Sequence, residues 1–359
     1  MRYPSTSKRP PASLLDALFW LLASLPMLLA TSLLAVLLAL KPAFAADDPA
    51  CGGHDLLAEL KVKDPAAWAA FMARAGTIEN GESIFWKIEK EGRPASWLLG
   101  TYHVTDPRVT VMPEPARQPF EQSRTLIVES DEILDQKAAA ARLMTMPDLM
   151  MFSGKETLKD YLTDDEEALL EAGMIKRGIP LMSVIKMKPW LVSSMMSLSR
   201  CELARKAAGK PFLDMKLALD AKAAGKEIKG LETLAEQLQA MADLPIEFHV
   251  KALVSVVRYQ DFTVDMMETV TNLYLSGHAS LIIPASLEFS PDKSDSDAAE
   301  MAQFEQRLII DRNRVMAARA APILAEGNVF MAVGAAHLYG PDGVVALLAR
   351  QGFVMSPVK

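Results

Sequence analysis

The chain has 359 residues, half of them hydrophobic and 23% charged, with a formal net charge of −7. That acidic balance argues against a nucleic-acid partner. The apolar content is enough to bury one large domain or two small ones, and one is expected.

Residues 1–12 carry Arg2, Lys8 and Arg9, the stretch from Leu14 through Leu40 is almost uncharged, and Ala43-Phe44-Ala45 follows. A basic start, an apolar middle and a small-x-small site form the order of a secretory signal, with cleavage after Ala45. The apolar stretch is longer than the roughly 7–15 residues usual for a signal and reaches the ~20 of a membrane span. A retained inner-membrane anchor through residues 14–40 is therefore the alternative, and both readings place residues 46–359 in the periplasm or outside the cell. Residues 1–45 hold four bases and Asp16, which leaves −10 on the rest. Cys51 and Cys201 are the only two cysteines. In an exported chain they read as one disulfide.

Ser83–Glu89 and Ser96–Gly100, separated by Gly92-Arg93-Pro94, predict two strands of a hairpin. Further strands are expected at Thr125–Glu129, Glu227–Leu231 and Val329–Gly334, and Phe353-Val354-Met355 closes the sheet. Helical patterns cover 134–152, Asp164–Lys176 with Thr163 and Glu166 as a capping box, 189–207, 211–224, 232–243, 246–275 and 298–325. Strands separated by helices imply an α/β fold: a mixed, mainly parallel central sheet with helical cover. The long helical middle is expected to be an insertion capping the sheet. Residues 286–300 read as a mobile polar loop.

Two distant segments match: Trp97 to His103 and Phe330 to His337 are both apolar strands ending in Gly-x-x-His, with Gly100 and Gly334 as the glycines. Ligands of open α/β sheets collect at the carboxyl ends of strands, where glycine permits a tight turn or close approach. Both imidazoles are thus expected to face one crevice, and Glu129, ending its own strand, brings a carboxylate to the same edge. Two neutral imidazoles and a carboxylate form a three-ligand set for a divalent metal, leaving positions for water and substrate. The bland reading is two turn histidines bonded to backbone. No Gly-x-Ser-x-Gly elbow, His-Glu-x-x-His helix, P-loop or Cys-x-x-Cys competes.

Among the other candidates, Glu232 follows a predicted strand and reads as a further ligand, a partner of the ligands, or a helix N-terminal carboxylate. Arg312 reads as an oxyanion or carboxylate grip, or as one more ion-paired base on a long helix. His54, His249 and His278 read as ordinary histidines. Tyr102 and Tyr339 flank the motif histidines, and Met144, Met146, Met150 and Met151 read mainly as core.

In chain order, Cys51 to Leu57, Trp97 to Arg108, Val128-Glu129, Leu213-Asp214, Gly225 to Gln237, Asp311-Arg312-Asn313 and Val333 to Gly343 together resemble the TraB/GumN group. The Tiki proteases and the pheromone-shutdown protein PrgY are related to that group. The resemblance implies an active centre of two Gly-x-x-His motifs and an acidic residue, with His103 and His337 as metal ligands and Glu129 as ligand or general base. From its Tiki members it implies metalloprotease activity on peptides or proteins supported by manganese or cobalt, with zinc as the other candidate. The expectation is an extracytoplasmic metal-dependent hydrolase. The rival is a periplasmic protein that holds metal or haem without turnover.

Overall fold

The computed structural model describes residues 52–291 and 295–358. The leader and Cys51 lie outside those residues. The six expected strands all form: β1 (Phe85–Glu89), β2 (Ser96–Thr101), β3 (Thr125–Val128), β4 (Glu227–Gly230), β5 (Val329–Gly334) and β6 (Val354–Pro357). They join one sheet in the order β4-β3-β5-β2-β1-β6. The first four in that order are mutually parallel, while β1 runs antiparallel to both β2 and β6.

Position in the sheet follows composition. β3 and β5 are continuous apolar runs buried at every residue, as central parallel strands covered on both faces must be. β4, with Glu227 and Lys229 exposed, is the charged edge. Alternate side chains of β5 serve opposite layers. Val329, Met331 and Val333 pack with Met316, Ala320 and Leu348 of the helices Asp311–Leu324 and Val344–Arg350. Phe330 and Ala332 pack with Phe120 and Leu217 of the helices Glu114–Gln122 and Leu213–Ala223.

The long helical middle builds a separate core from Phe152, Leu170, Met174, Val192, Met196, Leu253 and Val257. As expected, the Thr163 side chain accepts from the Glu166 N–H while Glu166 reaches back to Thr163. Several expected helices are shorter because the chain breaks them. The 134–152 helix stops at Met144 and a turn restarts at Pro147, whose ring suits a first helical position. The 189–207 helix is interrupted at Leu198, and Ser199 caps a new one by accepting from the Glu202 N–H. The 246–275 helix is split at Tyr259. The 298–325 helix carries a π-helical turn, Gln306–Ile310, ahead of Asp311. The polar loop expected over 286–300 is smaller, since helices run to Phe289 and resume at Asp295. The core role of the methionine cluster fails for Met144, which is 82% exposed on the last turn of its helix.

Candidate functional site

Parallel pairing puts the carboxyl ends of β4, β3, β5 and β2 on one edge. Thr101 of β2 is in register with Gly334 of β5, and Val128 of β3 with Ala332 of β5 and Gly230 of β4. His103, Glu129, Glu232 and His337 each follow one of these ends by one to three residues. They meet in a cavity of about 560 Å³ lined in part by His103, Glu129, Asp214, Gln237, Arg312 and His337. Glu232 stands just behind that lining. The helical insertion covers it with Trp190, Ser194, Val270 and Tyr274.

One carboxylate oxygen is the meeting point. Glu129 Oε1 lies 3.4 Å from His103 Nε2 and 3.8 Å from His337 Nε2, and accepts the Gly334 N–H at 2.7 Å. Both imidazoles are anchored at Nδ1. For His103 the partner is Asp214, at 3.2 Å; Asp214 is buried and also accepts the Thr101 hydroxyl at 2.8 Å. For His337 the partner is Asn313 Oδ1, at 2.7 Å. The Asn313 amide nitrogen donates to the Asp342 carbonyl at 2.9 Å, which fixes its oxygen toward the imidazole. Each ring when neutral therefore carries its hydrogen on Nδ1 and turns the Nε2 lone pair toward Glu129.

The other Glu129 oxygen, Oε2, accepts from Arg312 at 2.8 Å and from Gln237 at 3.2 Å. Arg312 also donates to both oxygens of Glu232, at 2.8–3.2 Å. Glu232 thus faces the guanidinium rather than the histidines, which fits a partner of the site and not a fourth ligand. Arg312 is paired as well, so its two carboxylates hold it in place and it does not stand open as a substrate grip.

The glycines explain the spacing. A Cβ on Gly334 would sit 3.0 Å from Glu129 Oε1, 3.1 Å from His103 Nε2 and 3.4 Å from the His337 ring, filling the space between all three. A Cβ on Gly100 would press at 3.0 Å on the backbone and side chain of Ala335 and on Leu338. Gly100 lets β2 pass the turn that carries His337, and Gly334 keeps the centre open.

Carboxylates outnumber fixed cations in the site: Glu129 and Glu232 share the guanidinium of Arg312, and Asp214 stands behind the His103 imidazole. Burial opposes charge on His103, but the nearby carboxylates of Asp214 and Glu129 outweigh it and raise its pKa well above the usual value. The ring is 48% open to the cleft, which softens the burial. His337 is 5% exposed, and burial chiefly lowers its pKa to about 4, with Arg312 and His103 adding to the shift against the pull of Glu129. Burial also opposes the charge on Glu129, yet His103, His337 and Arg312 together hold its carboxyl well below the ordinary range.

No group of three or more His, Cys, Asp or Glu among the described residues is arranged as a ready metal cage. The fit to a cation lies in the donor chemistry: two Nε2 nitrogens and a carboxylate oxygen around a space a methyl group would fill, with more carboxylates than the one guanidinium balances. The Ser130 hydroxyl, in the cavity wall, is also buried without a hydrogen-bond partner among the described residues. Such an orphan costs about 1–3 kcal/mol unless the cavity's contents satisfy it.

Of the residues singled out from sequence, His103, Glu129, His337, Arg312 and Glu232 come together. Tyr102 lines this cavity and Tyr339 a neighbouring one. His54, His249 and His278 do not line it; the His249 ring bonds the Met241 carbonyl at 3.0 Å and the His278 ring the Ser276 hydroxyl at 3.1 Å. Sequence reasoning assigned no role to Asp214, Asn313, Gln237 or Ser130. Asp214, Gln237 and Asn313 lie in segments that carry the family resemblance, the one signal that pointed to them.

A layered α/β protein with a carboxylate between two anchored imidazoles at its parallel strand ends is the class these features define. The chain belongs to the TraB/PrgY/gumN family, whose sequence model matches residues 84–357. It is similar to Metalloprotease TIKI1 of Danio rerio, 24% identical over 80% of this chain and 69% of that protein. Metalloprotease TIKI2 of Danio rerio is 23% identical over 76% of this chain and 60% of its own length. A Metalloprotease TIKI homolog of Nematostella vectensis is 25% identical over 78% of this chain and 68% of its own. The chain thus spans between 60% and 69% of the length of these relatives. No solved structure matches it.

Proposed function

We propose that the chain is an extracytoplasmic, metal-dependent hydrolase of peptidase type. The observation that carries this reading is the convergence of two Nδ1-anchored imidazoles on Glu129 Oε1. His103 Nε2, His337 Nε2 and Glu129 Oε1 would hold a divalent ion; manganese or cobalt is the proposal. When bound, such an ion supplies Lewis acidity, lowering the pKa of water and polarising a carbonyl.

The chain's own groups do the positioning. Asp214 and Asn313 hold the imidazole tautomers and ring planes. Arg312 and Gln237 engage Glu129 Oε2, so the carboxylate presents Oε1 alone. With Oε2 engaged and Oε1 aimed between the two imidazoles, Glu129 is better suited to be a ligand than a general base. Trp190, Phe212 and Leu308 add apolar surface to the cavity wall. Peptide substrates are proposed from the printed names of the TIKI relatives.

Export through residues 1–45, or anchoring through 14–40, belongs to the same proposal, as does the Cys51–Cys201 bridge. Cys201 is buried on the helix Arg200–Ala207. Two free thiols after denaturation without reductant would remove the bridge.

The test is cleavage of unstructured peptides by purified residues 46–359 with manganese or cobalt, stopped by a chelator. Stoichiometric metal without product from any peptide would instead make the protein a binder. A porphyrin between the two imidazoles would have to pass through the Glu129 carboxylate, which weighs against haem.

A further inference from the structure

Beside the site lies a second cavity of about 580 Å³, and the two share Ile309 and Ala336 in their walls. Its body is apolar, with Ile283, Pro284 and Leu287 of the helix Ile282–Phe289 and Ile310 of the π turn. Its lining carries three carboxylates, Glu288, Glu305 and Asp342, against Arg74.

Two of these carboxylates are already paired, Glu288 with Arg74 at 3.0 Å and Asp342 with Arg314 at 3.3 Å. Glu305 is half-buried, has no ion pair among the described residues, and burial pushes its carboxyl pKa up. In the same lining the Tyr339 hydroxyl is buried without a hydrogen-bond partner among the described residues. Among the described residues, neither group has a hydrogen-bond or ion-pair partner. A lone half-buried carboxylate and an orphaned hydroxyl both cost free energy. An apolar slot ending on an unpaired carboxylate matches one kind of side chain: a long methylene stem with a cationic head.

We propose that the second cavity is a substrate subsite for a lysine or arginine side chain, the stem on the isoleucine and leucine wall and the head on Glu305 beside Tyr339. This rests on the reading above in taking the substrate to be a peptide. The peptide runs from the site across Ala336 and Ile309, the residues common to both cavities. An acidic side chain is repelled by the lining, and a purely aliphatic one leaves Glu305 unpaired.

The test uses fluorescent unstructured peptides in which one lysine is moved through the sequence, each matched by a peptide with norleucine at that position. Binding to the full chain is read by anisotropy in a chelator, without turnover. At one position lysine should bind about tenfold tighter than norleucine, equivalent to about 1.4 kcal/mol. Glu305→Gln should remove that advantage, and Tyr339→Phe should reduce it while leaving thermal stability unchanged or higher. Glu91→Gln, in the exposed turn between β1 and β2, should leave it intact. Equal binding of lysine and norleucine at every position, or a preference that survives Glu305→Gln, overturns the subsite. Cleavage is read separately with manganese, where norleucine should raise KM and spare kcat. A Glu305-dependent preference without cleavage defeats the hydrolase reading and keeps the subsite; cleavage without preference does the reverse.

Discussion

His103 and His337 leave neighbouring parallel strands through the same four-residue pattern and reach the same oxygen of Glu129, yet they sit in opposite electrostatic settings. His103 is half open to the cleft and backed by the carboxylate of Asp214, so it favours a proton. His337 is buried and backed by the neutral amide of Asn313, so it sheds one. The motif fixes where an imidazole stands, and the residue behind it fixes its charge. At neutral pH the pair offers one ready lone pair and one that a cation must win from a proton.

If the two ends are halves of one centre, losing either should abolish it. His337→Ala and His103→Ala should each lose metal, measured by elemental analysis of purified protein. Peptide cleavage should fall by more than the roughly 10–100-fold typical when an outer partner of a ligand is lost. Stoichiometric metal retained by either variant breaks the comparison.

The opposite pKa shifts predict opposite pH effects in metal-free protein. The folded pKa of His337, about 4, lies below the unfolded value near 6.5. Stability from its neutral form is therefore present above about pH 6.5 and falls as pH drops toward 4, by up to roughly 3 kcal/mol. His103, with a raised folded pKa, contributes stability that is full below about pH 6.5 and fades as pH rises through its folded value. Urea unfolding between pH 7.5 and 4.5 should show the acid loss flattened in His337→Gln and steepened in His103→Gln. Equal slopes in both variants would mean the two settings do not differ as described.

Much of this site was readable before any fold was known, because strand ends advertise themselves. Apolar runs closed by Gly-x-x-His located His103 and His337, the apolar run Thr125–Val128 located Glu129 at its end, and the parallel order of their strands follows from the intervening helices. Asp214 and Asn313 have no such local signal. Each sits in the first turn of an ordinary-looking helix, and only packing of that helix against the sheet brings its side chain to an imidazole. Neither helix break, at Leu198 or Tyr259, is marked by glycine or proline; the first is marked only by the cap residue Ser199 with Glu202 three residues on. Asp214→Asn keeps the shape of that partner of His103 and removes its charge. Metal affinity should fall roughly 10–100-fold, and the His103 imidazole, followed by NMR titration, should move toward its ordinary pKa. An unchanged titration would remove Asp214 as the source of the asymmetry.

The two glycines sharpen the same contrast at the smallest scale. Gly334 has φ −52° and ψ 134°, open to any residue, so alanine there imposes no backbone strain. The atoms its Cβ would meet first are Glu129 Oε1 and the two imidazoles, groups that belong to the site. Gly334→Ala should therefore keep its melting temperature within the range of neutral variants while weakening metal binding. Gly100→Ala instead pushes on the Ala335 backbone and on Leu338, which must give by a few tenths of an ångström or stay strained. Overpacking of that kind costs about 1 kcal/mol at the mild end. Thermal unfolding and metal titration of both variants should separate into one stability defect and one binding defect. The same defect in both would mean that Gly100 and Gly334 are equivalent turn glycines, and that the centre is not held open by the second.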